Sequence, residues 1–133
     1  MLSEESKALS LYRLERTKEL LDEARALFDM GGFKGSNNRA YYAIFSAMRA
    51  VLALDDVDFK KHSGVIQYFQ REYIKTGKIA TEYSDIIMKA SRIRNASDYD
   101  DFYIASKDEA LAQIENAEKL YQEVGKYIRN IIG

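Results

Sequence analysis

The chain has 133 residues, the size of one ordinary domain, and we expect a single domain over residues 1–133. It is 47% hydrophobic and 31% charged, with 20 basic and 21 acidic side chains, so it is too apolar for a disordered chain and too evenly charged for a nonspecific polyanion binder. It has no cysteine, which excludes thiolate metal sites, redox motifs and disulfide bonds.

Neither end of the chain nor its interior has the pattern of a membrane segment. Met1–Ser10 is polar and acidic, unlike a signal peptide. The most apolar run, Ala40–Met48, is far shorter than the ~20 residues that cross a bilayer. We therefore expect a cytoplasmic protein without a membrane contact.

Proline is absent and apolar residues recur at helical spacing, which predicts an all-α, up-and-down bundle of four to five helices. The first helix is expected to begin near Ser3, whose hydroxyl can cap it, and to stop at Gly31 and Gly32. The long first and last helices could pair antiparallel within the bundle, or their apolar stripes could form the seam of a dimer.

The second helix is predicted over Ser36–Leu54. It combines an apolar stripe with a neighbouring stripe of alanines, so it should pack closely on two sides. A polar link at residues 55–61 follows, and a third helix is predicted over Ser63–Thr76, ending at Gly77.

The fourth helix is predicted from about Thr81, and residues 98–105 are expected to form a loop. The fifth helix opens with Ser106 and Glu109, which have the spacing of a capping box, and its apolar stripe extends to Ile131. The inward face of the fourth helix carries five residues at helical spacing: Tyr83, Ile86, Ile87, Ala90 and Ile93.

Two arginines near the end of the fourth helix are expected to point in different directions. At about 100° per residue, Arg94 lies about 45° from the centre of the apolar stripe, whereas Arg92 lies about 155° away and faces water. A half-buried guanidinium needs a carboxylate, a carbonyl or a phosphate as its partner. Two interpretations stay open: a local salt bridge to Asp98, or contact with a ligand phosphate or a partner's acid.

Three segments and the helical layout resemble the HEPN family, the higher eukaryotes and prokaryotes nucleotide-binding domain. The segments are Asn38–Phe45, Lys61–Ile66 and Arg94–Asp100, and the resemblance covers nearly the whole chain. It implies a helical bundle, usually a homodimer, often encoded beside a small nucleotidyltransferase as a toxin and antitoxin pair. A nucleotide is then the implied ligand. We expect no metal and no resident cofactor.

The resemblance also implies a site for RNA chemistry. The ribonucleases of the family work without metal, and their arginine is followed after four to six residues by a histidine that assists the 2′-hydroxyl. Here the positions after Arg94 hold Tyr99, Asp100 and Asp101, so the chain resembles the branch that lacks this histidine. Neither a phenol nor a carboxylate matches a base poised near neutral pH, and losing such a base costs about 10²- to 10⁴-fold in rate.

Five residues carry the site predictions. Arg94, Ser97 and Asp98 are the expected nucleotide or phosphate site. Tyr99 is a catalytic candidate and also a candidate acceptor of AMP, because the nucleotidyltransferase partner silences some family members by this modification. Arg94 is a second catalytic candidate, which would stabilise the phosphate, and His62, the only histidine, is the third, with a plain capping or surface role as its alternative.

Three functions remain open at this point. The favoured one is a module that binds a nucleotide or phosphate near Arg94 and pairs with a nucleotidyltransferase in a toxin and antitoxin system. The alternatives are a metal-independent endoribonuclease toxin, for which RNA is the substrate, and a plain helical interaction domain. Whether the chain is an enzyme is left open.

Overall fold

The computed structural model describes residues 2–133, so that Met1 lies outside the described part of the chain. Within it, all regular structure is helical and there is no strand, which confirms the all-α bundle. One π-helical turn directly continues the third helix. The elements are α1 (Glu4–Asp29), α2 (Phe33–Leu54), α3 (His62–Phe69) with its π turn (Gln70–Ile74), α4 (Glu82–Tyr99) and α5 (Lys107–Ile132).

The helix ends show the predicted capping chemistry, with one exception. The Ser3 hydroxyl accepts a hydrogen bond from the Ser6 N–H at 3.0 Å, and α1 is followed by Gly31 at φ +80°. Ser106 likewise accepts from the Glu109 N–H at 3.0 Å. The Glu109 carboxylate, however, accepts from Nδ2 of Asn37 at 3.1 Å, so it ties α5 to α2.

Two predicted boundaries were wrong, and a third, the start of α3, lies within one residue of its predicted position near Ser63. α2 begins at Phe33, because the Ser36 hydroxyl donates to the Ala24 carbonyl at 2.9 Å and ties two helices together instead of capping one. α3 begins at His62. α4 continues through residues 98 and 99, where a loop was expected, because Arg94 and Asp98 pair along its last turn at 3.4 Å.

α2 is the central helix, and it contacts α1, α3, α4 and α5. The Ser10 hydroxyl at the start of α1 donates to the Ala50 carbonyl near the end of α2 at 2.7 Å, so the two helices run antiparallel. The Asn37–Glu109 hydrogen bond places the start of α5 beside the start of α2. α5 therefore runs antiparallel to α1, as one of the two sequence interpretations required.

The core is filled by the apolar stripes of α1, α2 and α5, so most of these stripes is used within one chain. Ile131, at the far end of the predicted α5 stripe, is 52% exposed. Gln113 is completely buried, and neither its amide nitrogen nor its amide oxygen has a hydrogen-bond partner among the described residues. None of the helices in residues 2–133 combines the length and the apolar character that a bilayer span requires.

Candidate functional site

Three residues that are distant in the sequence meet at one cavity. Tyr41 belongs to α2, His62 begins α3, and Arg94 lies near the end of α4. The Tyr41 hydroxyl and Nδ1 of His62 are hydrogen-bonded at 2.9 Å, and the guanidinium carbon of Arg94 lies 5.2 Å from the centre of the Tyr41 ring. All three line a cavity of about 380 Å³. The structure thus brings two of the predicted site residues, His62 and Arg94, to one place.

Aromatic packing holds the His62 ring. Its centre lies 4.1 Å from that of Phe45, and the Tyr41 and Tyr42 rings follow at 5.8 and 5.9 Å. The link before α3 can approach this turn because residue 64 is glycine, and a Cβ there would lie only 2.9 Å from Cβ of Phe59. His62 is therefore a fixed, half-buried ring rather than a free surface side chain.

The electrostatic surroundings keep the His62 imidazole neutral. Burial lowers its pKa below the ordinary value of 6.5, and the positive charges of Arg94 and Arg49 lower it further. A neutral imidazole can accept a proton at neutral pH, which a histidinium cannot. A base is thus present in the cavity, although it comes from α3 and not from the segment after Arg94.

Arg94 is half-buried, as its position on the helix suggested, with 26% of its side chain exposed. Its Nε contacts the Asp98 carboxylate at 3.4 Å, so the local salt bridge is present. Burial by itself would lower its pKa, but Tyr41, Tyr42 and Asp98 together raise the pKa above its ordinary value. Arg94 is therefore a permanent cation that faces the Tyr41 ring.

The predicted phosphate site of Arg94, Ser97 and Asp98 offers little space. These residues share with Asn37 and Asn38 a concavity of about 10 Å³. That space holds about one water molecule, and a phosphate group needs more. A phosphate that reaches Arg94 has its room on the His62 side.

Tyr99 lies apart from this cavity. It ends α4, its side chain is 81% exposed, and it is not among the residues that line the cavity of Arg94 and His62. Its neighbours in the connection to α5 include Phe102 and Ile104, which are 90% and 86% exposed. The phenol is open to another protein, but it does not face the groups that could act with Arg94.

Sequence reasoning missed Tyr41 and Arg49 as members of the site. Tyr41 belongs to a segment that resembles the family, but its place on an apolar stripe indicates only core packing. Arg49 pairs with Asp58 in the link before α3 at 2.7 Å, a contact that no local spacing reveals. Within residues 2–133, no three His, Asp or Glu side chains are grouped so that they could hold a metal ion.

Comparisons with known proteins find the same family over most of the chain. A family model described as HEPN domain matches residues 10–127. A UPF0332 protein of Thermotoga maritima is 30% identical over 130 residues, which are 98% of this chain and 98% of its own. Two proteins of Methanocaldococcus jannaschii, each named "putative toxin", are 32% and 28% identical; both matches cover 90% of this chain, and 88% and 82% of theirs.

Proposed function

Because the chain belongs to the HEPN domain family, we propose that it is a toxin-type HEPN module that binds a nucleotide or phosphate between Arg94 and His62 and pairs with a nucleotidyltransferase. The observation that carries the proposal is the meeting of Arg94, His62 and Tyr41 at one cavity. The cytoplasmic location expected from the composition stays a prediction.

The field at His62 supports an anionic ligand. Beside burial, which is the larger cause, the charges of Arg94 and Arg49 lower the pKa of His62, which means that they disfavour an added positive charge at the ring. The same field favours a negative charge there. The cavity of about 380 Å³ lies within the range of about 300–1,000 Å³ that is typical of small-ligand sites. A phosphate at this place would accept from the Arg94 guanidinium, with the Tyr41 and His62 side chains beside it.

Binding of AMP and ATP by calorimetry tests the site. Arg94→Ala should weaken binding by about tenfold or more, because a charge-assisted hydrogen bond contributes about 1.5–3 kcal/mol. Arg92→Ala is the matched control, since Arg92 is exposed on the same helix. Equal affinity of the two variants would contradict the proposed site, and circular dichroism establishes that both are folded.

A specific observation also favours RNA cleavage as the second candidate function. The neutral His62 imidazole and the Arg94 cation face the same cavity. When a 2′-hydroxyl attacks a phosphodiester, a base accepts the hydroxyl proton and a cation stabilises the charge on the phosphate, so both groups that this reaction needs are present. Single-stranded RNA should then be cut in EDTA by the wild type and by Arg92→Ala, and not by His62→Gln or Arg94→Ala. RNA that stays intact with the wild type refutes the nuclease and leaves the binding module.

The nucleotidyltransferase half of the proposal has support from two features. The relatives named as putative toxins suggest a partner that restrains a toxin. The Tyr99 phenol is exposed and therefore open to a modifying enzyme. After incubation with ATP, magnesium and a small nucleotidyltransferase of the kind found beside members of this family, the intact mass should rise by AMP units. Tyr99→Phe should abolish the rise while Tyr12→Phe, at another exposed tyrosine, should not; a rise that survives Tyr99→Phe removes Tyr99 as the acceptor.

The exposed apolar side chains after α4 support a homodimer. Phe102 and Ile104 lie close together in the chain and are each more than four-fifths exposed, and large apolar side chains exposed together are typical of a protein interface. Light scattering after gel filtration should give twice the chain mass for the wild type and a monomer for Phe102→Asp. Met30→Asp, at an equally exposed apolar residue elsewhere, should stay dimeric. A monomeric wild type, or a dimeric Phe102→Asp, contradicts this contact.

A further inference from the structure

A second cavity opens next to the one that holds Arg94, and His62 lines both. Its volume is about 490 Å³, and α1, α2 and α3 all contribute to its walls. We call it the arginine cleft, because three guanidinium groups and three aromatic rings line it: Arg16, Arg39, Arg49, Tyr42, Phe45 and His62.

Helical spacing explains how the cleft is built. Arg39, Tyr42, Ser46 and Arg49 follow one another on α2 at steps of three, four and three residues, so they share one face of the helix. Arg16 faces them from α1. The face therefore presents a cation at each end and an aromatic ring and a small side chain between them.

One carboxylate serves two arginines at the α1 side of the cleft. Glu23 accepts from Nη1 of Arg16 at 3.1 Å and contacts Nε of Arg39 at 3.0 Å. Two guanidinium charges against one carboxylate charge leave one positive charge in this group. None of the three side chains is deeply buried, so an anion from solution can reach the group.

The same arrangement recurs beside Arg49. The Asp58 carboxylate contacts Nη2 of Arg49 at 2.7 Å and Nη2 of Arg13 at 3.1 Å, which again leaves one positive charge. Nη1 of Arg13 donates to the Arg49 carbonyl at 3.0 Å, so this group is braced against the backbone. The three arginines that line the cleft, against the Glu23 and Asp58 carboxylates, leave one positive charge, and Arg13, which does not line it, adds a second. The whole chain carries a formal net charge of −1, so this excess of positive charge is local.

We propose that the arginine cleft is a second anion subsite, in which Arg39 and Arg49, one at each end of the helix face, can each bind a phosphate while the base of the same nucleotide unit packs against the Tyr42 and Phe45 rings between them. Guanidinium groups bind phosphate oxygens through paired N–H donors, and aromatic side chains stack on any base. The subsite uses no residue of α4, so it goes beyond the function proposed above, although the two sites share His62 and the charge of Arg49 acts on both.

Two sources can supply this ligand chemistry, a free nucleotide and a strand of RNA. His62 lines both cavities, so a strand can place neighbouring phosphates at Arg94 and in the arginine cleft; this step rests on the proposed function. A mononucleotide can occupy only one of the two. If an RNA strand is the occupant, substitutions in the cleft should weaken the binding of a short single-stranded RNA more than the binding of AMP. If a free nucleotide is the occupant, they should weaken the binding of both equally.

The experiment measures binding of a labelled single-stranded RNA by fluorescence anisotropy and of AMP by calorimetry, with the full chain. Arg39→Gln and Arg49→Gln should each weaken RNA binding about tenfold and flatten its salt dependence, because each removes a phosphate contact. Arg25→Gln is the matched control. Arg25 lies on α1 and does not line the cleft, and it pairs one to one with Glu118 at 3.2 Å.

A variant that binds RNA more tightly would separate an anion-binding role of the arginine cleft from a purely structural role. Glu23→Gln keeps every arginine and removes the carboxylate that two of them share, so it should tighten RNA binding if the cleft holds an anion. A structural network would lose stability in this variant without any gain in affinity. Thermal melting of each variant shows whether the fold persists.

Each outcome decides one of the two sites. If Arg39→Gln and Arg49→Gln bind like Arg25→Gln, or if Glu23→Gln gains nothing, the arginine cleft is wrong. If only Arg94→Ala loses affinity, the proposed function stands without the subsite. If only the cleft variants lose affinity, the subsite stands and the Arg94 site is wrong. No binding of RNA or AMP to the wild type overturns both.

Discussion

Two clusters that contain tyrosine hydroxyls lie along α3 and its π turn, and they differ in their hydrogen-bond partners. In the first, the Tyr41 hydroxyl meets the imidazole of His62 beside the Arg94 cation, at a cavity. In the second, Tyr68 and Tyr73 both donate to one oxygen of Asp55, at 3.0 and 2.5 Å. In the first cluster the His62 imidazole and the Arg94 cation face a cavity, whereas in the second both hydroxyls donate to a carboxylate.

The pKa shifts express the same difference. Burial and the Asp55 carboxylate raise the pKa of Tyr68 to about 12 and that of Tyr73 further still, so these phenols stay protonated and serve as fixed donors. Around His62, burial and two arginines lower a pKa and keep a base free. Residue types alone do not separate the two clusters, because both are built on tyrosine; the charge of the partner decides which cluster can bind or react.

Removal of the Asp55 carboxylate should have the largest effect on stability. In Asp55→Ala the half-buried Tyr73 hydroxyl loses its acceptor, and we expect a loss of about 2 kcal/mol in the free energy of unfolding. Urea denaturation measures it, with Asp101→Ala in the exposed loop as the control. Ligand affinity should be unchanged, and a variant that binds AMP less tightly would show that the two clusters are coupled.

A methyl group at residue 64 should disturb the aspartate cluster next most. The Cβ of Gly64→Ala would lie 2.9 Å from Cβ of Phe59, an atom close to the backbone that cannot swing aside, and the Phe59 ring packs against Tyr68 at 5.7 Å. We expect a loss of about 1–2 kcal/mol from overpacking. A fully stable variant in thermal melting would mean that the 55–61 link moves freely.

Arg94→Gln should raise the pKa of His62, because it removes one of the two positive charges that lower it. The chain has a single histidine, so one imidazole resonance in an NMR titration reports the change without assignment. Arg92→Gln, which faces water, should leave the titration unchanged. An unaltered midpoint in Arg94→Gln would remove the electrostatic link on which the anion site depends.

The pH dependence of stability should show the smallest effect. Folding lowers the pKa of His62 below 6.5, so the unfolded chain binds the proton more readily than the folded chain does. The contribution of His62 to the free energy of unfolding is therefore fully present above pH 6.5, its ordinary pKa, and is lost as the pH falls toward the lower pKa of the folded state. His62→Gln lacks this pH dependence, so the free energy of unfolding of the wild type should approach that of the variant as the pH falls below 6.5. If the two free energies change in parallel with pH, the pKa of His62 is not lowered by folding.

Periodicity and capping predicted the helical fold, and tertiary contacts explain most of what they missed. The helical position of Arg94 indicated a half-buried side chain, and 26% of it is exposed. The pairing of Tyr41 with His62 could not be predicted, because it joins two helices through a fold that local spacing does not encode. Likewise, Asp58 lies in a polar link and gives no sign in the sequence that it holds two arginines.

The π turn at Gln70–Ile74 has a consequence for alignments of this chain with its relatives. A π turn accommodates an additional residue, and each residue of an α-helix turns the following ones by about 100°. A relative with one residue fewer between Gly64 and Gly77 should have an unbroken α-helix there. Because the π turn absorbs the additional residue, the chain after it should face the same way in both proteins, so a single-residue gap within Gln70–Ile74 should leave the packing of the following residues unchanged.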